Sequence, residues 1–204
     1  MNKKIRSNAS INSTTAPMSS LTPPSEEILS PKKDPSFETK LFDPIRNKAL
    51  ECTPEERVRQ DLLFLLIHKL NYPKHLLIVE KELRTLFPLL ARKRARLPRR
   101  RPDILVITPK TYTDPTGETF HLGEPKPLLL IECKAQVINQ NTLIQLLSYN
   151  YIIGASCLAI ASKKKQLTGF LNPKTQNLDF YPGLPEYSQL LRYYCSLNTL
   201  APQP

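Results

Sequence analysis

The sequence predicts an α/β fold, a mixed central sheet flanked by helices and closed by a C-terminal hairpin and helix. Three observations predict it. Ile104-Leu105-Val106-Ile107 and Leu128-Leu129-Leu130-Ile131 are short apolar runs that read as buried strands. Segments with apolar residues at helical spacing lie before and after them. The signals follow one another as helix, three strands, helix, strand and hairpin, the order of a sheet covered by helices.

Residues 1–45 are rich in Ser, Thr, Asn, Pro and Lys and lack apolar periodicity. Such a stretch buries too little surface to offset its ordering entropy, so a disordered tail is expected, with room for a sorting or secretion signal. The folded domain is expected over 46–198, its first element near Cys52, with 199–204 as a second tail. Thr53-Pro54-Glu55-Glu56 carries a cap residue, a proline at the first helical position and a Glu three residues after the cap. The helix continues through Val58, Leu62, Leu65, Leu66 and Leu70, and Asn71-Tyr72-Pro73 ends it. A strand is expected from Leu76 to Leu83 around Ile78 and Val79, then the strand at Ile104. Pro109 to Pro127 is turn-rich, with Asp114-Pro115-Thr116-Gly117 as its clearest turn. After the Leu128 strand, a helix is expected from about Asn141 to Ile153, with Gly154 at its C-cap. Cys157 to Ala161 reads as a strand, Gln166–Leu171 and Leu178–Tyr181 as a hairpin, and Glu186 to Leu197 as the last helix.

The 204 residues hold 29 Lys and Arg against 18 Asp and Glu, a net charge of +11. That balance points to a polyanionic partner, since Lys and Arg release counterions when they contact phosphates. No run of 18 apolar residues exists, so no spanning helix and no membrane role is expected. The basic start, Met1 to Arg6, leads into polar residues and not into the apolar core of a signal peptide. Cys52, Cys133, Cys157 and Cys195 lie too far apart for a zinc-ligand pair. Two of them stand inside apolar runs, which suits an intracellular, cytoplasmic protein with reduced thiols.

Charged residues sit at the ends of both apolar strands. Asp103 precedes the first, after Arg101-Pro102, and Glu132-Cys133-Lys134 follows the second. Strand residues two apart share a face, so Glu132 and Lys134 project together while Cys133 points into the core. A plain ion pair would explain Glu132-Cys133-Lys134 taken alone. The upstream Asp103, the apolar strands behind both elements and the helix downstream point instead to a site. Two converging carboxylates suit Mg²⁺, with Mn²⁺ as a substitute, because it takes hard oxygen ligands. A lysine beside them can orient or deprotonate an attacking water and stabilise charge on a phosphate. Gln145 and Tyr149, four apart, share one face of the following helix and can support the site.

The ordered set Arg-Pro-Asp103, apolar strand, Glu132-Cys133-Lys134 and Gln145-Leu-Leu-Ser-Tyr149 resembles the N-terminal nuclease domain of type I restriction enzyme R subunits, in the PD-(D/E)xK superfamily. Thr53-Pro-Glu-Glu-Arg-Val-Arg-Gln60 and the stretch 177–187 resemble its first and last segments, so the likeness covers about residues 50–190. The resemblance implies a restriction-endonuclease-like sandwich and Mg²⁺-dependent hydrolysis of DNA phosphodiester bonds. It implies Asp103, Glu132 and the Cys133 backbone carbonyl as metal ligands, Lys134 at the water, and Gln145 and Tyr149 as supporting residues. An acid of the first helix often completes such sites, and Glu55 is preferred because Glu56 is taken as the capping partner of Thr53. Two departures stand out. The stretch from Asp103 to Glu132 is long, which implies an inserted hairpin or loop. No G-x-x-x-x-G-K-[ST] phosphate loop occurs, so a domain without the ATP-driven motor is expected.

Arg92, Lys93, Arg94, Arg96, Arg99, Arg100 and Arg101 put seven positive charges into ten residues just before Asp103. Beside a phosphodiesterase site they are expected to clamp DNA phosphates, giving affinity without sequence specificity. His68, His75 and His121 lack metal-ligand spacing and receive no role. The alternative function is a catalytically silent nucleic-acid-binding module on the same fold; a protein partner or homodimer stays open.

Overall fold

The computed structural model describes residues 40–89, 101–171 and 177–199. A six-stranded mixed sheet forms the centre of the domain. Its strands are β3 (Leu77–Val79), β4 (Ile104–Ile107), β7 (Pro127–Lys134), β8 (Cys157–Ser162), β9 (Gln166–Leu171) and β10 (Leu178–Pro182), in the spatial order β10-β9-β8-β7-β4-β3. Only the β7–β8 pair is parallel, and helix α2 (Gln140–Ile153) links the two, as a parallel pair requires. Helices α1 (Pro54–His68) and α3 (Tyr187–Thr199) complete the set. The α/β sandwich expected from the order of sequence signals is the fold observed.

Both faces of the sheet are covered, which is why β7 and β8 read as continuous apolar runs rather than alternating ones. On one face, Leu62, Leu63 and Leu66 of α1 and Leu190 and Leu191 of α3 pack against Ile104, Ile131, Cys133 and Ala159. On the other, Leu146 and Ile153 of α2 pack against Leu105, Leu130, Leu158 and Ile160. The period of two sends alternate residues of each strand to opposite cores.

Local signals explain most boundaries. Thr53 caps α1, its Oγ1 accepting from the Glu56 amide at 3.1 Å. Asn139 caps α2, and Gly154 ends it with φ of 74°. A side chain at that left-handed position is strained, so Gly154→Ala is expected to cost about 1 kcal/mol. A thermal melt would show this as a fall of about 2–4 °C for a domain of this size.

The structure differs from the sequence expectation in two places. Regular structure among the described residues begins at Lys40, not near Cys52. Strands β1 (Lys40–Asp43) and β2 (Lys48–Glu51) form a hairpin through which the expected boundary at residue 45 passes. Its turn is held by the buried Asp43 carboxylate, which accepts from the Ile45 and Arg46 amides at 2.8 and 2.7 Å. The strand expected over Leu76–Leu83 is only three residues long, because Glu80 takes φ of 46° and turns the chain away. Leu83–Leu89 then form a 3₁₀ turn. The stretch from Pro109 to Pro127 holds the inserted hairpin, β5 (Thr111–Thr113) with β6 (Thr119–His121), around a turn organised by Asp114.

Candidate active site

One end of the sheet gathers the chemistry. Strand β4 starts there, while β3, β7 and β8 finish there, since β4 runs antiparallel to β3 and β7 and β8 runs parallel to β7. Glu80 follows β3, Asp103 precedes β4, and Glu132 and Lys134 close β7.

Glu132 is 3 % exposed, and its Oε1 accepts from Lys134 Nζ at 2.8 Å and Gln145 Nε2 at 2.5 Å. Gln145 Oε1 in turn accepts from Lys134 Nζ at 3.3 Å, which closes a triangle of side chains. Cys133, between the two charged residues, is buried in the opposite core, as the strand period requires. Burial pushes its thiol pKa well up, so it is an inert packing group. Burial, together with the Asp103 charge, also pushes the Glu132 carboxyl up to about 7. Burial works to lower the Lys134 pKa, but hydrogen bonding and attraction to Glu132, with Glu55 and Asp103 behind, raise it overall.

Asp103, 7 % exposed, has both oxygens engaged. Its Oδ2 accepts the Cys133 backbone N–H at 2.6 Å, which ties the start of β4 to the end of β7. Its Oδ1 accepts from Arg59 Nη2 at 2.6 Å. Arg59 also pairs with Glu56 and with Glu80, the latter at 3.0 Å. Beside it Arg46 binds Asp43 at 2.6 Å, Glu56 at 2.5 Å and Glu80 at 2.8 Å. Four carboxylates, Asp43, Glu56, Glu80 and Asp103, thus meet two guanidinium groups, an excess of two negative charges.

The site residues named from the sequence fall into groups. Asp103, Glu132, Lys134 and Gln145 come together at this sheet end. Glu55 joins them more loosely, its Oε1 3.9 Å from Lys134 Nζ. Tyr149 is buried one turn beyond Gln145, in the α2 core. The reason given for preferring Glu55 fails in part. Glu56 does not reach back to cap the helix; the Thr53 N–H donates to the Glu51 carbonyl, and the Glu56 carboxylate serves Arg46, Arg59 and Gln60. Arg92, Lys93, Arg94, Arg96, Arg99 and Arg100 lie outside the described residues. Arg101 is exposed and pairs with Glu82 at 3.1 Å, and the arginine that reaches Asp103 is Arg59.

Arg59 went unnoticed in the sequence, yet it left a signal. Glu56, Arg59, Leu63 and Leu66 follow the buried stripe of α1 at spacings of three, four and three. A Glu and an Arg at core positions announce a buried ion pair.

The donors at this end suit a hard divalent cation. Among the described residues no group of three or more His, Cys, Asp and Glu stands ready to hold a metal ion. Two carboxylates, a main-chain carbonyl and an amide oxygen are nonetheless hard oxygen donors of the kind Mg²⁺ takes. The excess negative charge of the neighbouring network favours a cation as well.

Comparison with known proteins adds one finding. The sequence model of a family described as type I restriction enzyme R protein N terminus matches residues 54–185, from the first residue of α1 to beyond β10. No curated protein and no solved structure gives a match.

Proposed function

The chain belongs to the type I restriction enzyme R protein N-terminus family, a nuclease-type domain of restriction enzymes, and from that premise we propose that it hydrolyses DNA phosphodiester bonds with Mg²⁺. The observation that carries this reading is the buried Glu132 carboxylate, shared by Lys134 and Gln145, its pKa raised towards neutrality by burial and then by the Asp103 charge. A carboxylate kept dry beside a second acid and a lysine is costly to the fold, and phosphodiester hydrolysis gives it a use.

Asp103, Glu132 and the Cys133 carbonyl would hold the ion. Bound there, Mg²⁺ would acidify a water and neutralise charge on the phosphate. Lys134 donates to the attacking water or to a phosphate oxygen, Gln145 fixes the Glu132 carboxylate, and Tyr149 anchors α2 beneath it. Glu55 stands at the rim. The four free thiols suit a cytoplasmic setting. Among the described residues no helix is long and apolar enough to cross a membrane.

Purified protein incubated with circular and linear DNA is expected to cut in Mg²⁺ or Mn²⁺ and not in EDTA. The second reading, a silent DNA-binding module, draws on the engagement of both Asp103 oxygens by Arg59 and the Cys133 amide. DNA binding without cutting in either metal would establish that reading in place of ours.

Lys134→Ala is expected to slow cleavage by about 10²–10³-fold, the usual loss on removing one donor to developing charge. Its metal affinity should hold or rise when calorimetry is run near pH 9. Near neutrality the variant binds metal less well, because without the lysine Glu132 keeps its proton to higher pH. Loss of metal binding at the alkaline end would make Lys134 a structural residue.

A further inference from the structure

We infer that the turn Lys163–Lys165 is a phosphate-binding surface that holds the nucleic-acid backbone beside the carboxylates; the inference rests on the nuclease reading above. Strands β7 and β8 are parallel, with Lys134 directly opposite Ser162. The three lysines therefore begin one residue beyond the end of β8, about 4.8 Å to the side of Lys134 in the sheet. Across strands β3, β4, β7 and β8, this end presents Glu80, Asp103, Glu132 with Lys134, and then Lys163–Lys165. Acids occupy one half of the row and lysines the other. A backbone laid along it meets metal-binding groups at one phosphate and cations at the next.

The turn is built firmly. The Ser162 N–H donates to the Lys165 carbonyl at 2.8 Å, and the Ser162 hydroxyl bridges the Lys165 main chain at 3.1 Å on both sides. All three lysines are exposed, and among the described residues none forms an ion pair. Asp61 shares a shallow hollow with Lys163 without pairing to it. Arg46, Arg59, Arg101 and Lys134 are all committed to carboxylates. Three adjacent ammonium groups repel one another, and a polyanion relieves that repulsion. Lysine, a compact and well-hydrated charge, contacts phosphates without reading bases.

The test compares the full-length protein with a K163Q/K164Q/K165Q variant, measuring anisotropy on labelled duplex DNA in EDTA over a range of salt. Each lost contact should flatten the log–log salt slope by roughly 0.9, up to about 2.7 for three. A matched variant, K69Q/K74Q/K126Q, removes equal charge from exposed lysines around the opposite end of the sheet. It is expected to change the slope little. An unchanged slope in the first variant, or an equal change in both, overturns the inference. Cleavage by the wild-type protein in Mg²⁺ is scored separately. Cutting with an unchanged slope removes the lysine turn and keeps the nuclease. A flattened slope without cutting keeps the turn and removes the nuclease.

Discussion

Glu132→Gln is expected to abolish cleavage and to make the folded domain more stable at alkaline pH. The carboxyl titrates at about 7 in the fold against an ordinary 4.5, because burial and the Asp103 charge disfavour its ionised form. The folded chain therefore holds this proton more tightly than the unfolded chain does. Stability from the group is fully present below about 4.5 and is lost as pH rises to about 7, by about 3 kcal/mol in all. Glutamine has no proton to lose and keeps an oxygen for Lys134. Melting temperatures of variant and wild type should nearly coincide at about pH 5 and separate above neutrality, by about 2–4 °C per kcal/mol. Mg²⁺ should raise the wild-type melting temperature and leave the variant unmoved. A variant that melts lower than wild type at every pH would show that the Glu132–Lys134 pair stabilises the fold, contrary to this reading.

Arg59→Ala should do the most damage of any single change at this end. It removes the cation shared by Glu56, Glu80 and Asp103 and leaves their charges buried or half-buried. Breaking a buried pair from one side costs about 3–5 kcal/mol, and Arg46 can compensate only Glu56 and Glu80. Arg59→Lys keeps the charge but not the fork that spans three carboxylates, so it should recover only part of the loss. Urea unfolding measures both. A cost below about 1 kcal/mol for the alanine variant would mean that solvent or Arg46 already screens Asp103.

Much of the fold was legible because its causes are local. Strands β4 and β7, the cap at Thr53 and the glycine at 154 each announce themselves within a few residues. That Glu132 and Lys134 share a side and Cys133 enters the core follows from the strand period alone. The hairpin β1–β2 was missed because its strands are four residues long and carry Lys40, Asp43, Lys48 and Glu51 at their ends. Its stability comes from Arg46, whose partner Glu80 lies 34 residues away. Arg59 and Asp103 are 44 residues apart, and no spacing rule connects them. Glu56 shows the reverse failure: a valid local motif gave way to tertiary ion pairs.

The two margins of the main sheet have a further consequence. Strand β3 is three residues long and is cut short by the turn at Glu80, while β10 ends in Pro182, which has no N–H to donate. Short or proline-bearing margins are poor templates for an incoming strand, from a neighbouring copy or from an unfolded chain. Edge-to-edge stacking through these two margins is thereby disfavoured. An assembly built from side chains on the faces can be tuned by single substitutions.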